Sequence, residues 1–276
     1  MFTLNLNGEL LVVKKPLVFG ILNITPDSFY AESRYQNETQ ILNKASQMLT
    51  ANVDFLDIGG YSTRPNADDI SEEEEKKRVL DTILLIKKHF PTAKISVDTF
   101  RSNIAKASVE MGASIVNDIS GGNLDEKMFE VVSQLNVPYI LMHSKGTPKT
   151  MQNLTDYDNI IAEMIDYFQT KITQLRTLGQ KDIIIDLGFG FAKTIAQNYY
   201  LLKNMALFEV LNCPILVGIS RKSMIYKPLQ ITAEDALNGT SALHIIALQN
   251  HASCLRVHDV KEAKQIIDLW ELMNVD

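Results

Sequence analysis

Ile183, Ile184, Ile185, Asp186, Leu187, Gly188, Phe189, Gly190, Phe191, Ala192, Lys193 run from a β-branched triplet through one carboxylate into a glycine-rich turn. The triplet favours a buried strand, and the glycines permit the backbone angles of a tight turn before a helix resumes. Spacing excludes two phosphate-binding loops. A dinucleotide fingerprint needs a third glycine where Lys193 stands, and a Walker loop needs glycine at the positions of Leu187 and Ala192. What remains is a polar residue at the C-terminal end of a buried strand.

Outward from this stretch the same arrangement recurs. Apolar runs at 17–22, 55–58, 95–97, 115–116, 139–142, 183–185, 215–217 and 254–257 each precede an amphipathic or helical stretch. Those stretches lie near 38–51, from Ser71, and at 103–111, 125–135, 159–178, 197–211, 233–249 and 260–273. Ser71 with Glu74 reads as a capping box, and Gly112 as a helix stop. Residues 2–6 and 9–13 flank Asn7-Gly8, a type I′ turn pair, and predict a lead-in hairpin within 1–14. Eight strand-helix units without a Pro-, Gly- or Ser-rich linker predict an α/β fold, a single (β/α)8 TIM barrel forming one domain over 1–276. A doubly wound open sheet is the alternative, because strand order cannot be read from sequence. The run Glu72 to Glu75 reads as a helix first turn on a solvated face, favoured by the dipole, and is given no function.

Bulk properties narrow the function. The chain of 276 residues carries a net charge of -6, which argues against nucleic-acid binding by bulk electrostatics. Cys213 and Cys254 form no CxxC or Cys/His cluster, so a reducing compartment and the cytoplasm are expected rather than a structural zinc site. Residues 1–10 lack the long apolar run of a signal peptide or membrane span.

In a barrel of this kind catalytic groups come from the strand C-termini. Here those ends read Asn23, Asp57, Asp98, Asn117, His143, Asp186, Ser220 with Arg221 and Lys222, and Arg256 with His258. If the barrel closes, Asp98, Asn117 and Asp186 meet at one mouth and suit a flat, multiply hydrogen-bonding ring such as a pterin or purine. Arg64, Lys222, Arg256 and His258 supply a cationic rim suited to phosphate or carboxylate.

Seven motifs carry a resemblance over nearly the whole chain: GILNITPDSF at 20–29, GGYSTRP at 59–65, SVDT at 96–99, NDISGG at 117–122, IDLGFGFAK at 185–193, SRKSM at 220–224 and RVHDV at 256–260. In these the chain resembles the dihydropteroate synthases of the pterin-binding barrel family. The resemblance implies a transferase of folate biosynthesis that joins 6-hydroxymethyl-7,8-dihydropterin diphosphate to 4-aminobenzoate, with Mg2+, as a homodimer inhibited by sulfonamides. It implies a pterin pocket of Asp98, Asn117, Asp186 and Lys222, a magnesium and diphosphate contact at Asn23, and a diphosphate cradle of Arg256 and His258. Thr63 and Arg64 match a mobile second loop, and Phe191, Lys222 and Ser223 lie in motifs that border the aminobenzoate. Asp98, Lys222, Arg256, His258 and Arg64 are thereby the candidate catalytic residues. Asp98 and Asp186 are expected to stay ionised so as to accept from ring N–H groups.

The chain departs from the family pattern at Tyr30 to Ser33, at Tyr61 in place of glutamate, at Leu187 in place of proline and at Ala192 in place of glycine. A corrinoid-linked methyl transferase on the same barrel and a non-catalytic pterin-binding protein are the competing readings. The roles of His143 and Lys193 are left open.

Overall fold

In a computed structural model the described residues are 1–24, 34–61, 69–147 and 150–273, without the side chains of 34–37 and of position 152. Strands β1 (Phe2–Leu6) and β2 (Glu9–Val13) form an antiparallel hairpin turned by Asn7 and Gly8, both at positive φ. β3 (Leu17–Asn23), β4 (Phe55–Gly59), β5 (Ile95–Asp98), β6 (Ile115–Asp118), β7 (Tyr139–Met142), β8 (Ile183–Asp186), β9 (Ile215–Val217) and β10 (Cys254–Val257) close into a parallel barrel, with β10 pairing both β9 and β3. Around it lie α1 (Arg34–Thr50), α2 (Glu72–His89), α3 (Ser102–Glu110), α4 (Met128–Leu135), α5 (Ile160–Thr177), α6 (Ile195–Lys203), α7 (Ser223–Leu229), α8 (Leu237–Gln249) and α9 (Val260–Leu272). The eight units and the lead-in hairpin read from the sequence are therefore present, and the open-sheet alternative is not.

Strand side chains alternate between two faces, so each inward position recurs at i+2. The inward floor is apolar: Phe19, Phe55, Ile115, Ile140, Ile184, Leu216 and Cys254 pack together with Leu4, Leu6 and Val13 of the hairpin. Phe19 and Phe55 stack at 4.9 Å between ring centroids. The hairpin thus seals the N-terminal end of the barrel, and Asn5 ties it down by donating its backbone N–H to Asp182 Oδ2 at 2.7 Å. Two residues further along five of the strands the inward residue is polar: Asp57 above Phe55, Asp98 above Ser96, Asn117 above Ile115, Asp186 above Ile184 and Arg256 above Cys254. One period-2 pattern therefore builds both a dry floor and a polar layer over it. The outward strand residues, among them Val18, Leu56, Ile58, Val97, Val116 and Ile185, join the helices in a second, larger core.

Three local expectations need correction. The Ser71 hydroxyl accepts from the Glu74 backbone N–H, but the Glu74 carboxylate turns outward to Arg78 Nε at 2.8 Å, so the capping box is half made. The stretch 197–211 is not one helix: α6 ends at Lys203, and a 3-10 helix, Met205–Leu211, follows Asn204. Glu75 does not share the solvated face of its neighbours. It is fully buried, accepting from Thr99 Oγ1 at 2.7 Å and pairing with Arg101 Nη1 at 2.8 Å, because helical rotation turns the fourth residue of the run toward β5.

Ala192 has φ 49°, in the left-handed region, and is fully buried. A β-carbon there costs about 1–2 kcal/mol, of which glycine gives back part as extra chain entropy in the unfolded state. Ala192→Gly is expected to stabilise the protein by about 0.5–1 kcal/mol, read as a rise in thermal midpoint of about 2 °C. A fall in midpoint would contradict this account of the turn.

Candidate active site

The polar layer is organised by Arg256 on β10. Its Nε donates to Asp57 Oδ2 at 2.6 Å and its Nη2 to Asp98 Oδ2 at 2.5 Å. Asp57 also accepts from Asn117 Nδ2 at 3.3 and 3.4 Å. One guanidinium thus joins β4, β5 and, through Asp57, β6. Asp57 is fully buried and belongs to the site, although it lies outside the seven motifs; its polar character at the end of a barrel strand is the signal the sequence carries for it.

This arrangement aims Asn117 at the mouth. The side chain is 2% exposed, its amide nitrogen is held by Asp57, and its Oδ1 has no hydrogen-bond partner among the described residues. A buried acceptor left in this state awaits a donor from a ligand. Gly59 lies between Asn23 and Asp98 in the strand register. A β-carbon on Gly59 would stand 3.4 Å from Asn23 Oδ1 and 3.5 Å from Asp98 Oδ2, so its absence lets an amide oxygen and a carboxylate face one space.

Across the barrel, Asp186 ends β8 with Oδ1 accepting from Gly188 N–H at 2.8 Å. Lys222 precedes α7, donates from Nζ to the Phe189 carbonyl at 2.6 Å and lies 4.7 Å from the centre of the Phe191 ring. Ser223 is the first residue of α7. Arg221 is absorbed by structure: it forms a two-point pair with Asp259 at 2.8 Å on each side and donates to the Ala233 and Glu234 carbonyls. It thereby ties the segment carrying Lys222 to the segment carrying His258.

Ser220 Oγ accepts the His258 backbone N–H and lies 3.1 Å from His258 Nδ1. The contact fits either neutral tautomer, and the one with the hydroxyl proton directed at Nδ1 leaves the ring proton on Nε2 as a donor. Burial and the nearby Arg256 guanidinium hold His258 down to about 4, so it is neutral at pH 7.

Burial dominates the electrostatics of the acids as well. It raises the Asp98 carboxyl to about 7 against the pull of Arg256, with Asp57, Glu75 and Asp118 adding to the rise. It raises Asp186 too, opposed by Lys222, the Gly188 N–H and Arg256. Lys222 falls to about 8 through burial, opposed by Asp186. The expectation that both acids are simply ionised is therefore modified: Asp98 titrates near neutrality in the ligand-free site. Arg256 moves the other way. Burial alone would lower it, but Asp57 and Asp98 more than offset that and raise it.

The structure thus brings Asp98, Asn117, Asp186, Lys222, Arg256 and His258 to one mouth, with Asn23 at its edge and Phe191 and Ser223 at its rim. Thr63 and Arg64, and the loop at Tyr30 to Ser33, lie outside the described residues. His143 is buried under the loop after β8 with its Nδ1 3.1 Å from Lys193 Nζ. His244 is buried on α8, and His251, two residues past the end of that helix, is exposed.

A polar layer of three acids, an amide and three cationic or donor side chains above an apolar floor suits a flat heterocycle that carries an anionic tail. A family described as pterin binding enzyme matches residues 19–258. The dihydropteroate synthase of Escherichia coli K12 is 39% identical over 267 residues, which cover 96% of this chain and 94% of that protein. A Yersinia pestis dihydropteroate synthase in a sulfonamide complex superposes with a TM-score of 0.91 at 35% identity, over 99% of both chains. The Xanthomonas albilineans synthase with 4-aminobenzoic acid gives 0.90 at 32% identity, over 99% of this chain and 98% of the other.

Proposed function

The chain belongs to the pterin-binding enzyme family, and on that premise we propose that it carries out the dihydropteroate synthase reaction through the residues of the barrel mouth. The substrates are 6-hydroxymethyl-7,8-dihydropterin diphosphate and 4-aminobenzoate; the products are 7,8-dihydropteroate and pyrophosphate. The observation that carries this reading is the buried Oδ1 of Asn117, unpartnered among the described residues, in the polar layer that also holds Asp98 and Asp186. Three acceptors over a dry floor match the ring N–H groups of a pterin. Lys222, whose Nζ and Asp186 Oδ2 both border Gly218, supplies the complementary donor.

In the reaction the bond between the pterin methylene and the diphosphate oxygen breaks, and its electron pair leaves with the diphosphate. The amine nitrogen of 4-aminobenzoate forms the new C–N bond and gives up a proton. Arg256 and the Nε2–H of His258 stabilise the departing charge, and Asp98 and Asp186 favour the positive character left on the ring and methylene. The amine is a nucleophile as it stands, so the chain's work is positioning and electrostatics rather than base catalysis. Phe191 and Ser223 are assigned to the wall of the aminobenzoate site, and Thr63 and Arg64 to the second loop that meets it.

A magnesium ion fits this donor set. Mg2+ takes one or two protein oxygens and fills its shell with phosphate oxygens and water. Asn23 Oδ1, with Asp98 beside it across Gly59, offers that minimal set, and the described residues hold no cluster of three or more acidic, His or Cys ligands that would build a complete cage. Bound there, the ion would neutralise charge on the leaving diphosphate.

The homodimer and the cytoplasm belong to the same reading. Tyr200, Leu207, Val210, Leu229 and Ile246 are exposed on α6, the 3-10 helix, α7 and α8, an apolar set suited to a second copy of the chain. Both cysteines are free, and no helix among the described residues is long and apolar enough to cross a membrane.

Two consequences are open to measurement. Asp98, raised to about 7, loses its acceptor charge as pH falls below 7, while Lys222, lowered to about 8, loses its positive charge as pH rises above 8. The kcat/KM for the pterin diphosphate is expected to peak between these values and to fall about tenfold per pH unit on either side. Lys222→Arg should move the alkaline limb upward by about two units or more; an unmoved limb would remove Lys222 as its source. The reaction itself is tested by pyrophosphate release, which is expected to need both substrates and to be inhibited by a sulfonamide competitively with 4-aminobenzoate. Release that does not require 4-aminobenzoate would contradict the assignment.

A further inference from the structure

One buried cation has no part in the chemistry above. Lys193 is 6% exposed, and its Nζ lies 3.1 Å from the Gly188 carbonyl, 3.0 Å from the Phe191 carbonyl and 3.1 Å from His143 Nδ1. Burial lowers Lys193 to about 7 against the pull of Asp186, and in its ammonium form the three protons meet three acceptors. His143 must then offer the lone pair of Nδ1 and carry its own proton on Nε2. Burial and the Lys193 charge keep that ring neutral, well below its ordinary value.

Both carbonyls belong to the turn after β8, where Gly188, Gly190 and Ala192 all have positive φ and where no helix or strand ladder fixes the backbone. One backbone bond, from the Phe191 N–H to the Gly188 carbonyl at 3.0 Å, closes the turn, and side chains hold the rest. Besides Lys193, Asn198 Oδ1 accepts from the Gly190 N–H at 2.7 Å, and the Tyr157 hydroxyl donates to the Ala192 carbonyl at 3.0 Å. Packing leaves no slack: a β-carbon on Gly188 would fall 2.0 Å from the His143 carbonyl oxygen. Between the clamped carbonyls the Phe189 ring is buried in the outer core while its carbonyl is turned to Lys222. The Phe189 carbonyl receives Lys222 Nζ at 2.6 Å, and the Phe191 ring lies beneath the same ammonium.

We propose that Lys193 is a positioning residue for the condensation: by gripping the Gly188 and Phe191 carbonyls it fixes the turn that aims Lys222 at the pterin and holds Phe191 as a wall. This rests on the function proposed above. It explains why a buried charge sits one turn away from the reacting groups without touching them. Lys193 acts through Lys222, so removing Lys222 should remove most of what Lys193 contributes to pterin binding.

A double-variant cycle reads this directly, with 6-hydroxymethyl-7,8-dihydropterin diphosphate alone as the calorimetric probe. Lys193→Met is expected to weaken binding about 10-fold and Lys222→Met about 100-fold, while the double variant is no more than about 2-fold weaker than Lys222→Met. Independent losses that multiply to about 1,000-fold would overturn the proposal, as would unchanged affinity in folded Lys193→Met. If circular dichroism shows that Lys193→Met does not fold, His143→Leu takes its place, since it removes one of the three acceptors and leaves both carbonyl contacts. Its loss of about 3-fold should likewise vanish in the Lys222→Met background, and additivity would overturn the proposal. Wild-type turnover measured alongside separates the two claims: additivity in an active wild type refutes the positioning role alone, whereas an inactive wild type refutes the function.

Discussion

Arg256→Ala is expected to lower kcat/KM for the pterin diphosphate by about 10³-fold or more and the thermal midpoint by about 10 °C. The family resemblance places Arg256 in the diphosphate cradle, which alone would slow departure of the leaving group and spare pterin affinity. The structure makes that separation untenable. The same guanidinium pairs with Asp57 and Asp98, and Asp57 in turn holds the amide of Asn117. Its removal leaves Asp57, fully buried, without its counter-ion, and breaking a buried pair in this way costs about 3–5 kcal/mol. Asn117 and Asp98 lose their alignment together. Both kcat and pterin affinity should therefore fall. A variant with normal pterin affinity and thermal midpoint, impaired in kcat only, would show that the three-strand clamp is unimportant.

Asp186→Ala is expected to act on binding above all, weakening the pterin diphosphate by about 10³-fold, because donors of a buried ring left without an acceptor cost several kcal/mol. The variant also frees the Gly188 N–H and removes the anion that supports the Lys222 ammonium. Its stability loss should be smaller than that of Arg256→Ala, since Asp186 makes no direct ion pair among the described residues. Asp186→Asn keeps an oxygen for Gly188 but offers a donor to the ring, and should rank between the wild type and the alanine variant. Calorimetry without 4-aminobenzoate isolates this effect from turnover. If Asp186→Ala binds the pterin as the wild type does, Asp186 is not the acceptor assigned here.

Much of this site was legible in the chain because barrel strands alternate. A polar residue two positions after an apolar floor residue marks the mouth, and Phe55 with Asp57, Ile115 with Asn117, Ile184 with Asp186 and Cys254 with Arg256 all follow that rule. Closure of the barrel then brings them together. What was not legible depends on contacts between distant segments. Arg256 and Asp57 are 199 positions apart, so nothing local reveals that the diphosphate cradle and the pterin pocket share one guanidinium. The burial of Glu75 was hidden for a related reason: four consecutive glutamates look alike in composition, and only the rotation of α2 against Thr99 and Arg101 singles out one.

The departures at Leu187 and Ala192 also gain a physical account. Leu187 is fully buried in the outer core, and Ala192 takes up a left-handed conformation that glycine would hold without strain. Both belong to the turn that Lys193 grips, so the glycine-rich stretch after Asp186 serves as a frame for Lys222 and Phe191 rather than as a phosphate loop. Helix α6 offered a further signal in Thr194 and Gln197, which form a full capping box just after this turn and fix where the helix starts.

The reaction at the barrel mouth is measured most directly by mass analysis of its product. Wild-type protein given 6-hydroxymethyl-7,8-dihydropterin diphosphate, 4-aminobenzoate and magnesium is expected to form 7,8-dihydropteroate and pyrophosphate in equal amounts, with Asp186→Ala and Arg256→Ala both severely impaired. Absence of dihydropteroate from the wild-type reaction, or its undiminished formation by both variants, would contradict the account.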